Sequence, residues 1–202
     1  MINDDPYVDP NTGILKNKLG LLDTATLDRL EREFVTQRIV QGPPAGNFDL
    51  DHLKAIHRHM FQDVYAWAGE VRTVELSKGN DTFLHRGRIE VGMNDVHDRL
   101  KAQNYLRGIG RDDFAKAAGV IIGDVNYIHP FREGNGRTQL QYLKQLAERA
   151  GHAVNLAKLK GLRWIEASRA ANGGDYVPMS EAIGKALDPT AAKSRLDRGL
   201  ER

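Results

Sequence analysis

A nine-residue polar segment, HPFREGNGR, separates two apolar stretches of the sequence and carries most of its candidate chemical groups. His129 opens the segment, Glu133 lies at its centre and Arg137 ends it. Histidine is the side chain whose ordinary pKa lies closest to neutrality, so His129 is the candidate general base. A carboxylate among phosphate donors is expected to hold a cation, and Mg²⁺ binds readily between carboxylate and phosphate oxygens. A base, a metal carboxylate and a phosphate-binding arginine together predict phosphoryl or nucleotidyl transfer.

Two predicted helices must position this segment. Before it, apolar residues recur at helical spacing from Val120 to Ile128, which predicts a buried helix. Pro130 cannot continue that helix and biases His129 toward an extended or turn conformation. After the segment an apolar period resumes at Leu140. We therefore predict a helix, a polar loop and a second helix that begins within the segment.

The start of the second helix predicts an anion site. Free backbone N–H groups and the positive end of the helix dipole favour a phosphate group there. Gly134 and Gly136 let the backbone approach a ligand closely, and each could take a positive φ. Arg137 can clamp a phosphate oxygen with its planar set of donors. The helix dipole alone would disfavour a cation at this position, so a bound anion is the better explanation for an arginine.

The segment resembles the signature of the Fic family at every fixed position. That signature is histidine, any residue, Phe, any residue, Asp or Glu, Gly, Asn, Gly or Lys, and Arg. The similarity runs from about residue 5 to residue 187 and is closest to small bacterial Fic toxins. It implies a mainly α fold, the Fic fold, which is a helical orthogonal array with one β-hairpin flap. The expected organisation is a Fic domain at 1–190, with an irregular N-terminal lead at 1–22, the flap at 71–86 and the motif at 129–137, followed by a charged, flexible tail at 191–202.

The resemblance also implies an activity. Such proteins are adenylyltransferases that transfer AMP from ATP to a Tyr, Ser or Thr hydroxyl of a target protein. Carried over to this sequence, His129 deprotonates the hydroxyl and Glu133 holds Mg²⁺. The phosphates are held by Gly134, Asn135 and Gly136, with Arg137 on the β-phosphate.

One position departs from the family pattern. A second arginine usually follows three residues after the first, where it binds the γ-phosphate and pairs with an inhibitory glutamate. Here that position is Leu140. Lys144, one turn further along the helix, is a candidate substitute. Without an arginine at position 140 the usual charge pair with an inhibitor could not form.

A hairpin is predicted between residues 71 and 86. Val71 to Leu76 alternates and is rich in β-forming residues, and Thr82 to His85 could return as its partner. The hairpin could be decorative, or its exposed edge could add a target segment as an extra strand. The resemblance implies the second role, with Lys78 and Gly79 at the tip near the nucleotide. The residues expected to dock the target are Val74, Leu76 and Phe83.

Other helices follow from capping signals and periodicity. Asp23 or Thr24 is predicted to cap a first helix that ends at Gly42. Asp49 is predicted to cap a second helix that ends at Gly69.

Composition excludes several classes of function. The 202 residues fit one domain with a sizeable core. The absence of cysteine excludes disulfides, thiolate metal sites and cysteine catalysis, and it fits a reducing, cytoplasmic compartment. A net charge of +2, from 29 basic and 27 acidic residues, does not indicate a nucleic-acid-binding protein. No apolar stretch is long enough to span a membrane.

Two alternatives and two partners stay open at this level. Doc-like protein kinases, which transfer the γ-phosphate, carry a lysine where Gly136 stands here. A degenerate nucleotide-binding Fic module is supported only by Leu140. The family's inhibitory helix carries Ser or Thr, three residues, Glu, then Gly or Asn, and this pattern does not occur in the sequence. The resemblance therefore implies a small antitoxin that supplies this helix in trans. Similar toxins modify DNA gyrase B and topoisomerase IV, the suspected targets.

Overall fold

The computed structural model describes residues 5–79 and 81–188, and this part of the chain is mainly helical with one two-stranded sheet. The predicted fold class is therefore confirmed. Short 3₁₀ turns occur at Arg86–Arg88, Asn104–Leu106 and Leu156–Lys158. The α-helices are α1 (Thr24–Gln41), α2 (Leu50–Phe61), α3 (Ile89–Ala102), α4 (Arg111–Ile128), α5 (Asn135–Ala150), α6 (Gly161–Asn172) and α7 (Val177–Ala186), and the strands are β1 (Ser77–Lys78) and β2 (Asp81–Thr82).

Helix α4 is the centre of the fold, because it packs against α3, α5, α6 and α7. Two glycines on α4 allow α7 and the residue before it to approach closely. A Cβ at Gly119 would lie 2.1 Å from Ser180 Oγ, and a Cβ at Gly123 would lie 2.6 Å from the Tyr176 ring. The helix that ends at the motif histidine is therefore held on several sides, which fixes the position of its C-terminus.

Helices α1 and α2 pack against each other, and α2 also packs against α5. Their predicted caps are confirmed: Asp23 accepts the Thr26 N–H and Asp49 accepts the His52 N–H, each at 2.8 Å. The predicted extension of α2 to Gly69 is wrong, because the helix ends at Phe61 and turns follow. The Gly69 N–H instead donates to a ring nitrogen of His57, so the chain folds back onto α2.

The hairpin is much shorter than predicted. Each strand has two residues, with Ser77 opposite Thr82 and Lys78 opposite Asp81. The predicted strand from 71 to 76 is wrong, because only its last residue adds one further hydrogen bond to the second arm. Earlier in that segment the Arg72 N–H donates to the Pro130 oxygen in the turn after α4, and the Thr73 N–H donates to the Tyr7 hydroxyl oxygen, so neither bonds to a second strand. The physical reason is a buried arginine within the segment, described below.

The part of the lead that the structure describes, residues 5–22, holds one isolated bridge between Val8 and Leu15 and no helix. The predicted tail at 191–202 and residue Asn80 lie outside the described residues. Among the described helices, none combines the length and the apolar character that crossing a bilayer requires.

Candidate active site

The motif histidine caps the C-terminus of the central helix. Helix α4 ends at Ile128, where the sequence predicts a break, but His129 is not extended. It is left-handed, with φ 47° and ψ 60°. A non-glycine residue in this region costs on the order of 1 kcal/mol or more, so its surroundings must hold it there.

Hydrogen bonding assigns the tautomer of His129. Its Nδ1 lies 3.0 Å from the backbone oxygen of Asn126. A carbonyl oxygen can only accept, so Nδ1 carries the hydrogen and Nε2 keeps its lone pair. The Phe83 ring of the flap stacks on the imidazole, with centroids 3.6 Å apart and 14° between planes. Burial lowers the pKa of His129 to about 4, which leaves a neutral base at physiological pH.

Arg72 holds this turn in place, although the sequence offered no reason to select it. Its side chain is fully buried. Nε donates to the His129 oxygen at 2.8 Å, and the backbone N–H donates to the Pro130 oxygen at 2.9 Å. The two terminal nitrogens donate to the oxygens of Val74 and Leu84, one on each arm of the flap. One guanidinium therefore ties the flap to the turn that carries the motif histidine.

The loop between the helices is closed by the motif asparagine. The Asn135 side chain accepts the Phe131 N–H at 2.9 Å and donates to the Phe131 oxygen at 2.7 Å. These contacts use both ends of its amide and fix the side chain against the loop, so its backbone N–H at the start of α5 is a candidate phosphate donor. The ring of Phe131 stacks on His57, whose Nε2 donates to the backbone carbonyl oxygen of Glu133 at 3.0 Å.

The two motif glycines differ in conformation. Gly134, the N-cap of α5, has φ 80°, and a Cβ there would lie 2.3 Å from the Phe61 ring. Gly136 lies in the first turn of α5, where its φ is not positive and a Cβ would meet nothing within 4 Å. Gly134 is thus required by the fold, whereas Gly136 leaves open space at the N-terminus of the helix. The first N–H groups of a helix have no intrahelical partner and point into that space.

Arg137 is shared between two carboxylates. Its Nη1 lies 2.6 Å from Glu31 Oε1, and its Nη2 lies 3.5 Å from Glu133 Oε1. Its guanidinium also lies over the Phe61 ring, 4.8 Å from the centroid. The partner on α1 was not predicted, because nothing local to the motif indicates it.

Glu133 carries the carboxylate proposed for a metal. Its Oε1 accepts the Gly134 N–H at 2.8 Å, so the same oxygen contacts both the helix N-terminus and Arg137. The side chain is 44 % exposed, which leaves it accessible to a cation. In the described part of the chain no three His, Asp or Glu side chains cluster as a metal cage. A single carboxylate suits Mg²⁺ that is bound together with nucleotide phosphates, which is how Mg²⁺ is commonly held.

A cavity of about 500 Å³ brings these groups together. Two of the polar side chains that line it are bonded to each other, because the Asn126 amide donates to Asn172 Oδ1 at 2.7 Å. Leu140 lines this cavity, whereas Lys144 lines a different one. Lys144 is therefore not placed to substitute for the arginine that the family carries at position 140. The flap, motif and α6 side chains on its wall include Leu76, Lys78, Phe83, His129, Arg132, Glu133, Arg137, Trp164, Ile165, Ser168 and Arg169.

Two predicted flap residues lie apart from this wall. Gly79, with φ 65° at the tip, and Val74, which packs partly against the core, are not among the residues that line the cavity. Leu76, Lys78 and Phe83 are. The structure therefore places three of the five predicted flap residues beside the motif.

Comparisons with known proteins agree with this geometry. The profile of the Fic/DOC family matches residues 47–147. The protein adenylyltransferase VbhT of Bartonella schoenbuchensis is 37% identical over 96% of the chain, which spans only 41% of VbhT. The probable protein adenylyltransferase y4lH of Sinorhizobium fredii is 37% identical over 91% of the chain and 96% of its own length. The crystal structure of BepC from Bartonella tribocorum, with bound AMPPNP, superposes with a TM-score of 0.83 at 26% identity, covering 91% of this chain and 96% of that one.

Proposed function

The chain belongs to the Fic/DOC family, and we propose that it is a protein adenylyltransferase, which transfers AMP from ATP to a hydroxyl side chain of a target protein. The observation that carries this proposal is the hydrogen bond from His129 Nδ1 to the Asn126 oxygen. It leaves Nε2 as a neutral acceptor in the same cavity as the N-terminus of α5. A base and a phosphate site in one cavity are the two parts that nucleotidyl transfer needs.

The chemical step follows from these parts. Nε2 of His129 takes the proton of the target hydroxyl while the hydroxyl oxygen attacks the α-phosphorus of ATP. The bond between that phosphorus and the bridging oxygen breaks, and pyrophosphate leaves. General base catalysis of this kind contributes about 10²–10⁴-fold, and positioning by the helix N-terminus contributes the rest. Mg²⁺, held by Glu133 and the phosphates, would neutralise phosphate charge.

The α-phosphate is the reacting group in this proposal, and the position that departs from the family bears on the γ-phosphate instead. Leu140 removes one cation from the terminal phosphate, but it leaves His129 and the α5 N-terminus unchanged. Retention of these groups favours AMP transfer over a degenerate binding module. Gly136, with open space around it, favours AMP transfer over the kinase orientation, which is associated with lysine at that position.

The test is labelling with two forms of ATP. The protein, Mg²⁺ and DNA gyrase B are incubated with ATP labelled on the α- or the γ-phosphate, followed by intact-mass analysis of the target. An AMP adduct that carries only the α label supports the proposal, whereas a phosphate that carries the γ label establishes the kinase instead. His129→Ala should abolish labelling, and His85→Ala, at an exposed flap histidine, is the matched control. If neither gyrase B nor any protein of a bacterial lysate gains a label beyond that of a control without this protein, the proposed transferase activity is refuted.

The finer assignments rest on the family resemblance. We propose DNA gyrase B or topoisomerase IV as the target, docked along the flap by Leu76 and Phe83. We also propose a cytoplasmic toxin whose small antitoxin supplies an inhibitory helix in trans. A second cavity of about 480 Å³ beside Arg137, between the lead and α1, offers room for a partner there. Toxicity on expression alone, relieved by a co-purifying small protein, is the expected result. Harmless expression of the active chain would refute the toxin role.

A further inference from the structure

Helix α1 places a carboxylate against the motif, almost a hundred residues away in sequence. Glu31 lies between Leu27 and Val35 on the buried face of the helix, and its side chain is only 8 % exposed. A buried carboxylate is costly unless it is paired and hydrogen-bonded. Glu31 meets both requirements, with Oε1 on Arg137 at 2.6 Å and Oε2 accepting the hydroxyl hydrogen of Tyr65.

The Arg137 guanidinium therefore has a strong and a weak partner. The contact with Glu31 is short, whereas the contact with Glu133 is 3.5 Å and its carboxylate is 44 % exposed. If the charge of Glu31 were removed, Arg137 would have one anionic neighbour left, and that neighbour is Glu133. Arg137 and a divalent cation would then compete for the same carboxylate.

We propose that Glu31 is a positioning residue of the nucleotide site. By neutralising Arg137 and fixing its direction, it keeps Glu133 available to a divalent cation bound with the nucleotide. This inference rests on the proposed function, because it concerns the metal-nucleotide complex that the enzyme would use. Glu31 is proposed to touch neither the metal nor the nucleotide, and its contact with the site is the ion pair with Arg137.

The expected signature is a change in how strongly Mg²⁺ promotes nucleotide binding. In Glu31→Gln, Arg137 opposes the cation at Glu133. The lost negative charge also favours metal-free nucleotide, which is more anionic than the magnesium complex. Both effects act in the same direction. The ratio of the AMPPNP dissociation constant in EDTA to that in Mg²⁺ should therefore fall about fivefold, the order expected for one charge-assisted contact at a partly exposed site.

Calorimetric titration with AMPPNP, with Mg²⁺ and with EDTA, measures this ratio without any target protein. Glu33→Gln is the matched control, because it removes the same charge from the same helix at an exposed position paired with Arg29. Tyr65→Phe removes the hydrogen bond to Glu31 but keeps its charge. Both variants should keep the wild-type ratio. A merely structural role for Glu31 would weaken binding equally in both conditions and leave the ratio unchanged.

A milder variant covers the case in which Glu31→Gln does not fold. Glu31→Asp keeps the charge but shortens the side chain, so the ratio should fall about twofold. The inference is overturned if folded Glu31→Gln, or Glu31→Asp in its place, retains the wild-type ratio. Wild-type protein that binds AMPPNP no better with Mg²⁺ than with EDTA would instead contradict the proposed function, so the two failures are distinguishable.

Discussion

We expect the flap phenylalanine to contribute to the lowered pKa of the candidate base, and Phe83→Ala tests this directly. The Phe83 ring covers one face of the His129 imidazole at a centroid distance of 3.6 Å. Burial is the largest cause that lowers the pKa of His129 from 6.5 to about 4, and it outweighs the opposing hydrogen bond to the Asn126 oxygen. Lowering the pKa of a histidine by burial means that the imidazolium, and not the neutral ring, is poorly solvated.

The expected change in the pKa of His129 follows from how much of its ring the substitution Phe83→Ala would uncover. Each pH unit corresponds to about 1.4 kcal/mol between the two protonation states. Removing the cover from one of the two ring faces should restore somewhat less than half of the lost solvation. We therefore expect Phe83→Ala to raise the pKa of His129 by about one pH unit. Phe83→Leu, which keeps an apolar cover, should change it much less.

The assay is an NMR titration of the histidine ring protons from pH 8 down to about pH 3, because a group with a pKa of about 4 is only half protonated at pH 4. His129→Ala assigns the signal, and His57 serves as an internal reference, because burial lowers its pKa to about 4 as well and its ring stacks on Phe131 rather than on the flap. A His129 titration that is the same in wild type and in folded Phe83→Ala would refute desolvation by the flap as the cause.

Three further predictions concern the framework of the site. Gly134→Ala should destabilise the protein by about 3 kcal/mol, because position 134 has a positive φ and a Cβ there would meet the Phe61 ring. Gly136→Ala should leave the free energy of unfolding within about 0.5 kcal/mol of wild type but weaken AMPPNP binding. Urea denaturation measures the stabilities and calorimetry the binding, and equal stability of the two variants would contradict the different roles assigned to the two glycines. Burial lowers the pKa of His57 to about 4, so the contribution of the neutral ring to the free energy of unfolding is full above pH 6.5 and falls by about 2 kcal/mol between pH 7 and pH 5. In His57→Gln the free energy of unfolding should therefore depend less steeply on pH. A slope equal to that of wild type would refute this role of His57. Arg72→Lys should lower the free energy of unfolding by about 2 kcal/mol, because an ammonium cannot reach all of the carbonyl oxygens to which the guanidinium donates. The control is Arg86→Lys, at an exposed arginine of the same segment. A loss of stability no larger than that of the control would refute the role of Arg72.

The sequence alone determined the local features of this protein. Pro130 ended one helix and the glycines began the next, because both effects act on the backbone of the residue itself or its neighbours. The caps at Asp23 and Asp49 depend on a side chain and an N–H three residues away. The fold class and the motif followed from such short-range rules and from the resemblance.

Tertiary structure decided what lies between distant segments. Arg72 is an ordinary residue of an alternating pattern until the turn after α4 and the second arm of the flap present carbonyl groups to it, and these contacts replace most of the predicted strand. They also hold His129 left-handed, where Pro130 alone predicts an extended or turn backbone. Glu31 stands in the apolar stripe of α1, which was the one local signal that a buried partner existed. Only the tertiary structure, which brings Glu31 of α1 against Arg137 of α5, identifies that partner, because an ion pair between segments so far apart in the chain leaves no trace in local spacing.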